Sequence, residues 1–461
     1  MTRVVVIGGG IAGLAAAHHL ADRRDVQVTL CEAGSRPGGK IRTEDFAGVV
    51  LDLGPDAFLA RRPEALQLCR ELGLEDELVP PATSAAYVWC RGRLRRLPEG
   101  LVLGVPTDLG ALARSRVLSP LGLARVALEP LVPGRRLAGD EALGAVVRRR
   151  LGDEAHRTLV DPLVGGINAG DTDRLSMEMT APPLAAAARA RRSLVGGARR
   201  AAVPGRRGPG GPAFLTLAGG LSRLVEALVT RLTAAGVEVR TGAPVDALEP
   251  SGDGGYRLRL ASGALEADAV VVATPAWVAG RLLAPHAPEA AATLAAVDYA
   301  SVALVALAFP ASALGRPLDG SGFLVARGEG RLMTACSWAS SKWAHLDPGD
   351  QVVLRVSAGR AGDARAQALD DEALVARLGL EVGQALAITA PPIEVRVTRW
   401  ARAFPQYAPG HLARVAAAEA ELTARLPGVA LAGAALAGVG LPACIASGRR
   451  AGDRAAGPLG G

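Results

Sequence analysis

Six residues near the start of the chain, Gly8-Gly9-Gly10-Ile11-Ala12-Gly13, restrict its fold more than any other segment. They follow the apolar, β-branched run Thr2 to Ile7 and precede the apolar stretch Leu14 to Leu20. A second alternating run, Val26 to Cys31, ends at Glu32. The period thus switches from strand to helix and back to strand, which is a βαβ unit with a glycine-rich first turn. Gly8, Gly10 and Gly13 have the spacing that permits a tight turn, close approach of backbone to a pyrophosphate and close packing of helix on strand. The N-terminus of the helix that follows this turn offers free N–H groups and partial positive charge to phosphates. Glu32, with Ala33 beside it, is placed to accept hydrogen bonds from a ribose hydroxyl. A dinucleotide is expected. This unit alone does not separate FAD from NAD.

Two further segments do. Arg36-Pro37-Gly38-Gly39-Lys40-Ile41-Arg42-Thr43 follows Glu32 directly, and its paired glycines and cations suit a loop folded over the same diphosphate. A nicotinamide dehydrogenase has no need of such a loop; the arrangement resembles the second phosphate-contacting motif of the flavin amine oxidase superfamily. Lys40 is one of only two lysines, the other being Lys342. Near the C-terminus, Gly438-Val439-Gly440-Leu441-Pro442 precedes a helix expected to start near Cys444. A helix N-terminus aimed at a flavin stabilises negative charge that develops on the ring as it is reduced. Non-covalent FAD is therefore the expected cofactor, and Cys444 is expected to be a buried free thiol rather than an attachment point.

At 461 residues the chain is too long for one ordinary core. Hydrophobic residues make up 49% and charged residues 21%, a globular composition. The net charge of +7, carried almost wholly by arginine, permits anionic partners: a carboxylated substrate, a phosphate-bearing cofactor or an anionic membrane surface. Nucleic acid is not expected, since aromatic residues are only 3% and no zinc-finger or RRM pattern occurs. The six histidines form no HxxxH or HExxH pattern, so no metal site is expected. Five scattered cysteines without a CxxC pair, and no signal-peptide pattern, lead to the expectation of reduced thiols in the cytoplasm. Leu426 to Gly448 carries no charge over a length that suits a membrane span. Pro427 and Pro442 interrupt it, and a buried strand, turn and helix is the preferred reading.

The fold class expected is α/β (α+β overall): a Rossmann-like FAD-binding domain, a mixed-sheet substrate domain and a helical cap insertion. The first is assigned discontinuously to 1–80, 214–276 and 425–461. The Leu-, Ala- and Arg-rich stretch 81–213 is assigned to the cap, a candidate for membrane contact, with an exposed loop from Arg189 to Gly211. Strand patterns at 302–309, 332–336, 352–356 and 394–398, with a helix near 372–386, assign 277–424 to the sheet domain.

Later segments carry a more specific resemblance. Gly54-Pro55-Asp56-Ala57-Phe58, Gly165-Gly166-Ile167-Asn168-Ala169-Gly170-Asp171, Thr334-Ala335-Cys336-Ser337-Trp338 and Pro405-Gln406-Tyr407 with Gly410-His411 span nearly the whole length. With Gly438 to Cys444, they make the chain similar to the porphyrinogen oxidases of haem biosynthesis, particularly the bacterial, coproporphyrinogen-using branch. The resemblance implies that Gly54, Pro55, Asp56 and Ala57 lie along the flavin, that Val245 presents backbone to the adenine side and that Trp400 contacts the cofactor. It implies a basic substrate-binding position at Arg62, with Ile167 and Asn168 in the pocket wall. It implies oxygen-dependent, six-electron oxidation of coproporphyrinogen III in three flavin cycles, each making hydrogen peroxide. A tetrapyrrole and molecular oxygen are then the small-molecule partners. A ferrochelatase as transient partner and peripheral attachment to the inner face of the membrane are further implications. No general acid or base is expected, and His411 reads as a packing or hydrogen-bonding residue. Protoporphyrinogen oxidation, amine or polyamine oxidation and a non-catalytic tetrapyrrole carrier with a structural flavin are the competing functions. The oligomeric state is not legible.

Overall fold

The computed structural model of the chain describes residues 1–132, 136–191, 193–202, 211–252 and 254–457. Five parallel strands, in the order Glu238–Arg240, Val26–Cys31, Thr2–Ile7, Ala269–Val272 and Val429–Leu431, form one sheet. Segments far apart in sequence thus pair side by side, and the uncharged run after Leu426 supplies an edge strand and the helix Leu441–Ala456. Among the described residues, no helix is long and apolar enough to cross a membrane. Because the strands are parallel, both faces must be covered, and the buried residues divide accordingly. Val4, Val6, Val28 and Leu30 face a core with helices Ile11–Ala21, Ser222–Ala234 and Leu441–Ala456. Val5, Ile7, Val270 and Val272 face a second core.

The contact between the first and last of those helices is unusually close. A Cβ on Gly448 would lie 2.0 Å from the Ala12 carbonyl oxygen, far inside van der Waals contact distance. One on Gly13 would clash likewise with the Gly8 carbonyl oxygen. Only glycine permits these approaches, and they bring the starts of the two helices to the same edge of the sheet.

A second sheet has seven strands in the order Glu394–Pro405, Tyr299–Pro310, Gln351–Ala358, Met333–Trp338, Gly322–Val325, Tyr87–Cys90 and Arg93–Arg96. All neighbours are antiparallel except Gly322–Val325 with Tyr87–Cys90, so the sheet is mixed. The cap packs short helices around Val126, Val147, Leu159 and Leu184. Inside it, Glu129 and Arg150 are almost wholly buried. Glu129 accepts hydrogen bonds from Arg150 Nε at 2.8 Å, Ser193 Oγ at 2.6 Å and the Leu194 amide at 2.8 Å. One buried carboxylate therefore ties three cap segments together, and its charge is matched.

Three expectations about 81–213 and 277–424 need correction. Tyr87–Cys90 and Arg93–Arg96 are strands of the seven-stranded sheet, not part of a helical cap, because Val88 and Trp89 alternate onto its two faces and are buried there. Helices Ala276–Leu283, Pro288–Ala295 and His411–Arg425 belong with the five-stranded parallel sheet, since Leu282, Leu294, Val415 and Leu422 fill the same core as Val5 and Val270. The proposed loop from Arg189 is partly helix: Leu194–Ala202 buries Leu194, Val195 and Ala198 in the cap. Residues 203–210 of that loop lie outside the described residues.

Asp52 joins two segments of the first domain. Its Oδ1 accepts from Thr43 Oγ1 and, at 2.9 Å, from the Leu221 amide. Burial pushes its carboxyl up from the ordinary 3.8 to about 6, against the hydrogen bonds from Thr43 and Leu221. The folded chain therefore holds this proton more tightly than the unfolded chain does. That contribution to stability is complete below the unfolded value and is lost as pH rises through about 6. Asp52→Asn keeps the accepting oxygen and removes the ionisation. It is expected to match wild type near pH 4 and to exceed it by up to about 3 kcal/mol above pH 7. Urea unfolding at the two pH values checks this, and a pH-independent difference would refute it.

Candidate active site

A cavity of about 730 Å³ runs between the parallel sheet and the mixed sheet. Gly8, Gly10, Ile11, Ala12, Glu32, Ala33, Gly39, Lys40 and Val245 line one part of it. Here the strand Thr2–Ile7 ends and the helix Ile11–Ala21 begins, the position at which open α/β sheets take nucleotides. Gly9 and Gly13 lie outside the lining and act on the shape of the turn. The Gly9 amide donates to Glu32 Oε2 at 2.6 Å, and the Gly34 amide donates to Oε1 at 2.7 Å. Both carboxylate oxygens are thereby anchored while the group still faces the cavity.

The basic loop divides its labour in a way the sequence did not reveal. Arg36 turns back on its own loop, donating to the carbonyls of Pro37, Gly39 and Ile41 at 3.0–3.1 Å. Arg42 pairs with Glu44. Lys40 alone of the three presents its ammonium to the cavity, where burial lowers its pKa and nearby Cys444 opposes that shift. Its Nζ has no hydrogen-bond or ion-pair partner among the described residues.

The closing motif contributes Val439, Leu441 and Cys444 to the lining, whereas Gly438 and Gly440 do not reach it. The helix starts at Leu441, with Gly440 as N-cap and Pro442 in its first turn, three residues earlier than the sequence suggested. Gly438 has φ of 130°, open to glycine alone among common residues. The Cys444 thiol is buried and pushed up to about 11 by burial, against the pull of Lys40. At neutral pH it is a protonated thiol, unsuited to nucleophilic attachment of a flavin.

Gly54, Pro55 and Asp56 also line the cavity, but Ala57 points to a small core beneath them. Trp400 lines it and donates its indole N–H to the Leu53 carbonyl at 2.8 Å. Asp56 accepts from Lys342 Nζ at 2.8 Å and pairs with Arg355 at 2.9 Å. Burial pushes its carboxyl up, yet the two cations outweigh burial and hold it well below the usual carboxylate range. Arg355 donates in turn to the Gly54 carbonyl at 2.6 Å. Sequence reading missed Lys342 and Arg355 as site residues. A signal existed in the strand Gln351–Ala358, where Arg355 interrupts an apolar run and is only 6% exposed.

The remaining wall comes from the cap and the mixed sheet. His156–Gly165 is a π-helix containing Pro162, a geometry that recurs at functional sites. Asp161, Pro162, Gly165, Gly166 and Ala169 face the cavity. Asn168 does not: its amide donates to the Val164 carbonyl at 2.8 Å, and its own backbone carbonyl accepts from Gln406 Nε2 at 3.0 Å. Ile167 points away and is 52% exposed. Arg62 is also outside the lining. Pro63 starts a helix and leaves Arg62 as its exposed N-cap. The three substrate residues anticipated from sequence are therefore not pocket side chains in this structure. His411 is buried, donating from Nε2 to the Ala435 carbonyl at 2.8 Å and lying edge-on to Tyr407.

The lining fits a flavin dinucleotide. Two helix N-termini, at Ile11 and Leu441, open onto it beside Lys40, which suits a diphosphate and a ring that gains negative charge. Gly10 supplies a direct test of the fit, because a Cβ there would meet nothing within 4 Å and would project into the open cavity.

Comparison with known proteins agrees with this geometry. Residues 11–456 match the family described as flavin containing amine oxidoreductase. The coproporphyrinogen III oxidase of Bacillus subtilis is 36% identical, covering 97% of this chain and 96% of its own. The protoporphyrinogen oxidase of Bos taurus is 32% identical, covering 98% of each chain. A solved structure from Exiguobacterium, named as a candidate protoporphyrinogen oxidase, superposes with a TM-score of 0.87 at 34% identity over 98% of both chains.

Gly10→Val should abolish FAD retention while leaving the fold intact, since the backbone at Gly10 (φ −69°) accepts a side chain that then occupies the diphosphate seat. Flavin absorbance per protein after gel filtration, with circular dichroism alongside, reads both quantities. Normal flavin content in the variant would contradict the placement.

Proposed function

We propose, from the premise that this chain belongs to the flavin-containing amine oxidoreductase family, that it is an FAD-dependent oxidase converting coproporphyrinogen III to coproporphyrin III in haem biosynthesis. The observation that carries the reading is the cavity itself. It joins the dinucleotide-binding glycines to a large apolar slot lined by five cations: Lys40 lies at the dinucleotide end, Lys342 and Arg355 are held by Asp56, and Arg281 and Arg360 are left to face a ligand. Arginines pair with propionates through a planar fork, and the four propionates of coproporphyrinogen give a cationic slot more to hold than the two of protoporphyrinogen.

When bound, FAD supplies a two-electron acceptor that oxygen can regenerate, so six electrons leave the substrate in three cycles with three molecules of hydrogen peroxide formed. The protein's part is to bind, orient and keep water out. Val302, Leu304, Val325 and Phe404 give the slot apolar walls. No histidine lines it among the described residues, and its carboxylates are already engaged: Glu32 by amides, Asp56 by cations and Asp161 by Thr172 Oγ1 at 2.6 Å. The residues present are thus arranged for substrate placement beside the flavin rather than for proton abstraction by a poised base.

The same reading includes a peripheral position on the inner face of the membrane and transfer of product to a ferrochelatase. Leu121, Leu128 and Leu131, 84%, 53% and 77% exposed on the cap, support the membrane contact.

Purified protein under air should convert coproporphyrinogen III to fluorescent coproporphyrin III well above the autoxidation rate, releasing three peroxides per porphyrin, and should favour it over protoporphyrinogen IX. Peroxide release from amines without porphyrin formation would instead identify an amine oxidase. Porphyrin binding without anaerobic flavin reduction would identify a carrier.

A further inference from the structure

The cavity does not end at the mixed sheet. Arg360 lines both it and a second, open depression formed by residues 361–365 with Asp171 and Arg327. Its backbone is fixed. Gly359 (φ +91°) turns the chain at the end of the strand Gln351–Ala358, and the Ala361 amide donates to the Ala169 carbonyl at 2.8 Å. The side chain is 23% exposed and sits where the Gly165–Asp171 turn meets the sheet.

Its electrostatic situation differs from that of its neighbours. Arg327 is held by Asp171 at 2.7 Å and by Asp161 and Asp173 at 3.4 Å. Arg148 pairs with Asp173 and, at 3.1 Å, with Asp153. Lys342 and Arg355 are occupied by Asp56. Arg360 has one pairing among the described residues, with Asp161 Oδ2 at 3.4 Å, beyond the length of a good charged hydrogen bond. Asp171 and Asp363 feel its charge from nearby, but its remaining N–H groups have no hydrogen-bond partner among the described residues.

We propose that Arg360 is a carboxylate-binding residue for the substrate, holding one propionate of the tetrapyrrole where the cavity meets the second depression. This rests on the porphyrinogen reading above and extends it to a named residue. Asp161, already bonded to Thr172, steers the guanidinium by its long contact without saturating it. An incoming carboxylate can then take two of the free N–H groups, a geometry lysine cannot reproduce.

The test is a comparison of acid and ester substrates. Arg360→Gln should raise KM for coproporphyrinogen III about 10- to 100-fold, the usual weight of a charged hydrogen bond, with kcat little changed. For coproporphyrinogen tetramethyl ester, which has no carboxylate, wild type and variant should share one KM. Arg360→Lys should lie between the two on the acid alone. FAD content equal to wild type establishes that the variants fold, and should Arg360→Gln fail to fold, Arg360→Lys carries the comparison. Equal losses on acid and ester, or an unchanged KM for the acid, overturn the assignment while leaving the oxidase reading intact. A wild-type protein that oxidises neither porphyrinogen overturns both.

Discussion

The helix Leu441–Ala456 reaches the helix Ile11–Ala21 only because Gly448 has no side chain. That contact joins the two extremes of the chain, and much of the site follows from it. With any larger residue at 448 the two axes would separate, and the N-termini at Ile11 and Leu441 would no longer open on one cavity. Two partial positive charges would then be lost from the same space. The edge strand Val429–Leu431, paired with Ala269–Val272, would be pulled with them. Gly13 makes the equivalent demand within the first turn, so the glycines serve packing first and phosphate geometry through it.

This explains which parts of the site were legible in sequence. Gly8 to Gly13, Glu32, Lys40 and the segment from Gly438 act through backbone and local spacing, and local spacing survives in a linear string. Their environment is set within a few residues of each, so the lining contains most of them. The substrate side is different. Its wall is assembled from a π-helix, a turn at Gly165–Asp171 and the ends of strands contributed by separate parts of the chain. Which side chain of that turn faces inward depends on Gln406, some 240 residues later, which holds the Asn168 carbonyl. No periodicity within the turn could report that. Arg62 failed as a pocket residue for a related reason, since Pro63 begins a helix and sends the preceding side chain outward.

Domain boundaries were misplaced by the same cause. Helices Ala276–Leu283 and His411–Arg425 are amphipathic, and an amphipathic helix states that it has a buried face without stating against which sheet. Val415 and Leu422 settle against Val5 and Val270, and the boundary moves with them. Tyr87–Cys90 is short and lies between Pro-rich segments, so only its parallel pairing with Gly322–Val325 reveals that it belongs to the mixed sheet.

A cavity that contains carboxylates and cations together invites an acid–base reading, but the pairings speak against it. An ionised carboxylate between two cations, as Asp56 is between Lys342 and Arg355, has a depressed proton affinity and is a poor base. What it does instead is fix two cations at the Gly54 turn, where one of them also grips the Gly54 carbonyl. Asp161 does less for Arg360, at longer range, and leaves it able to bind. The same residue pair, arginine with aspartate, thus builds scaffold at one place and an open recognition group at another. The distinction lies in 0.5 Å of separation, from 2.9 to 3.4 Å, and in how many other donors each carboxylate already accepts.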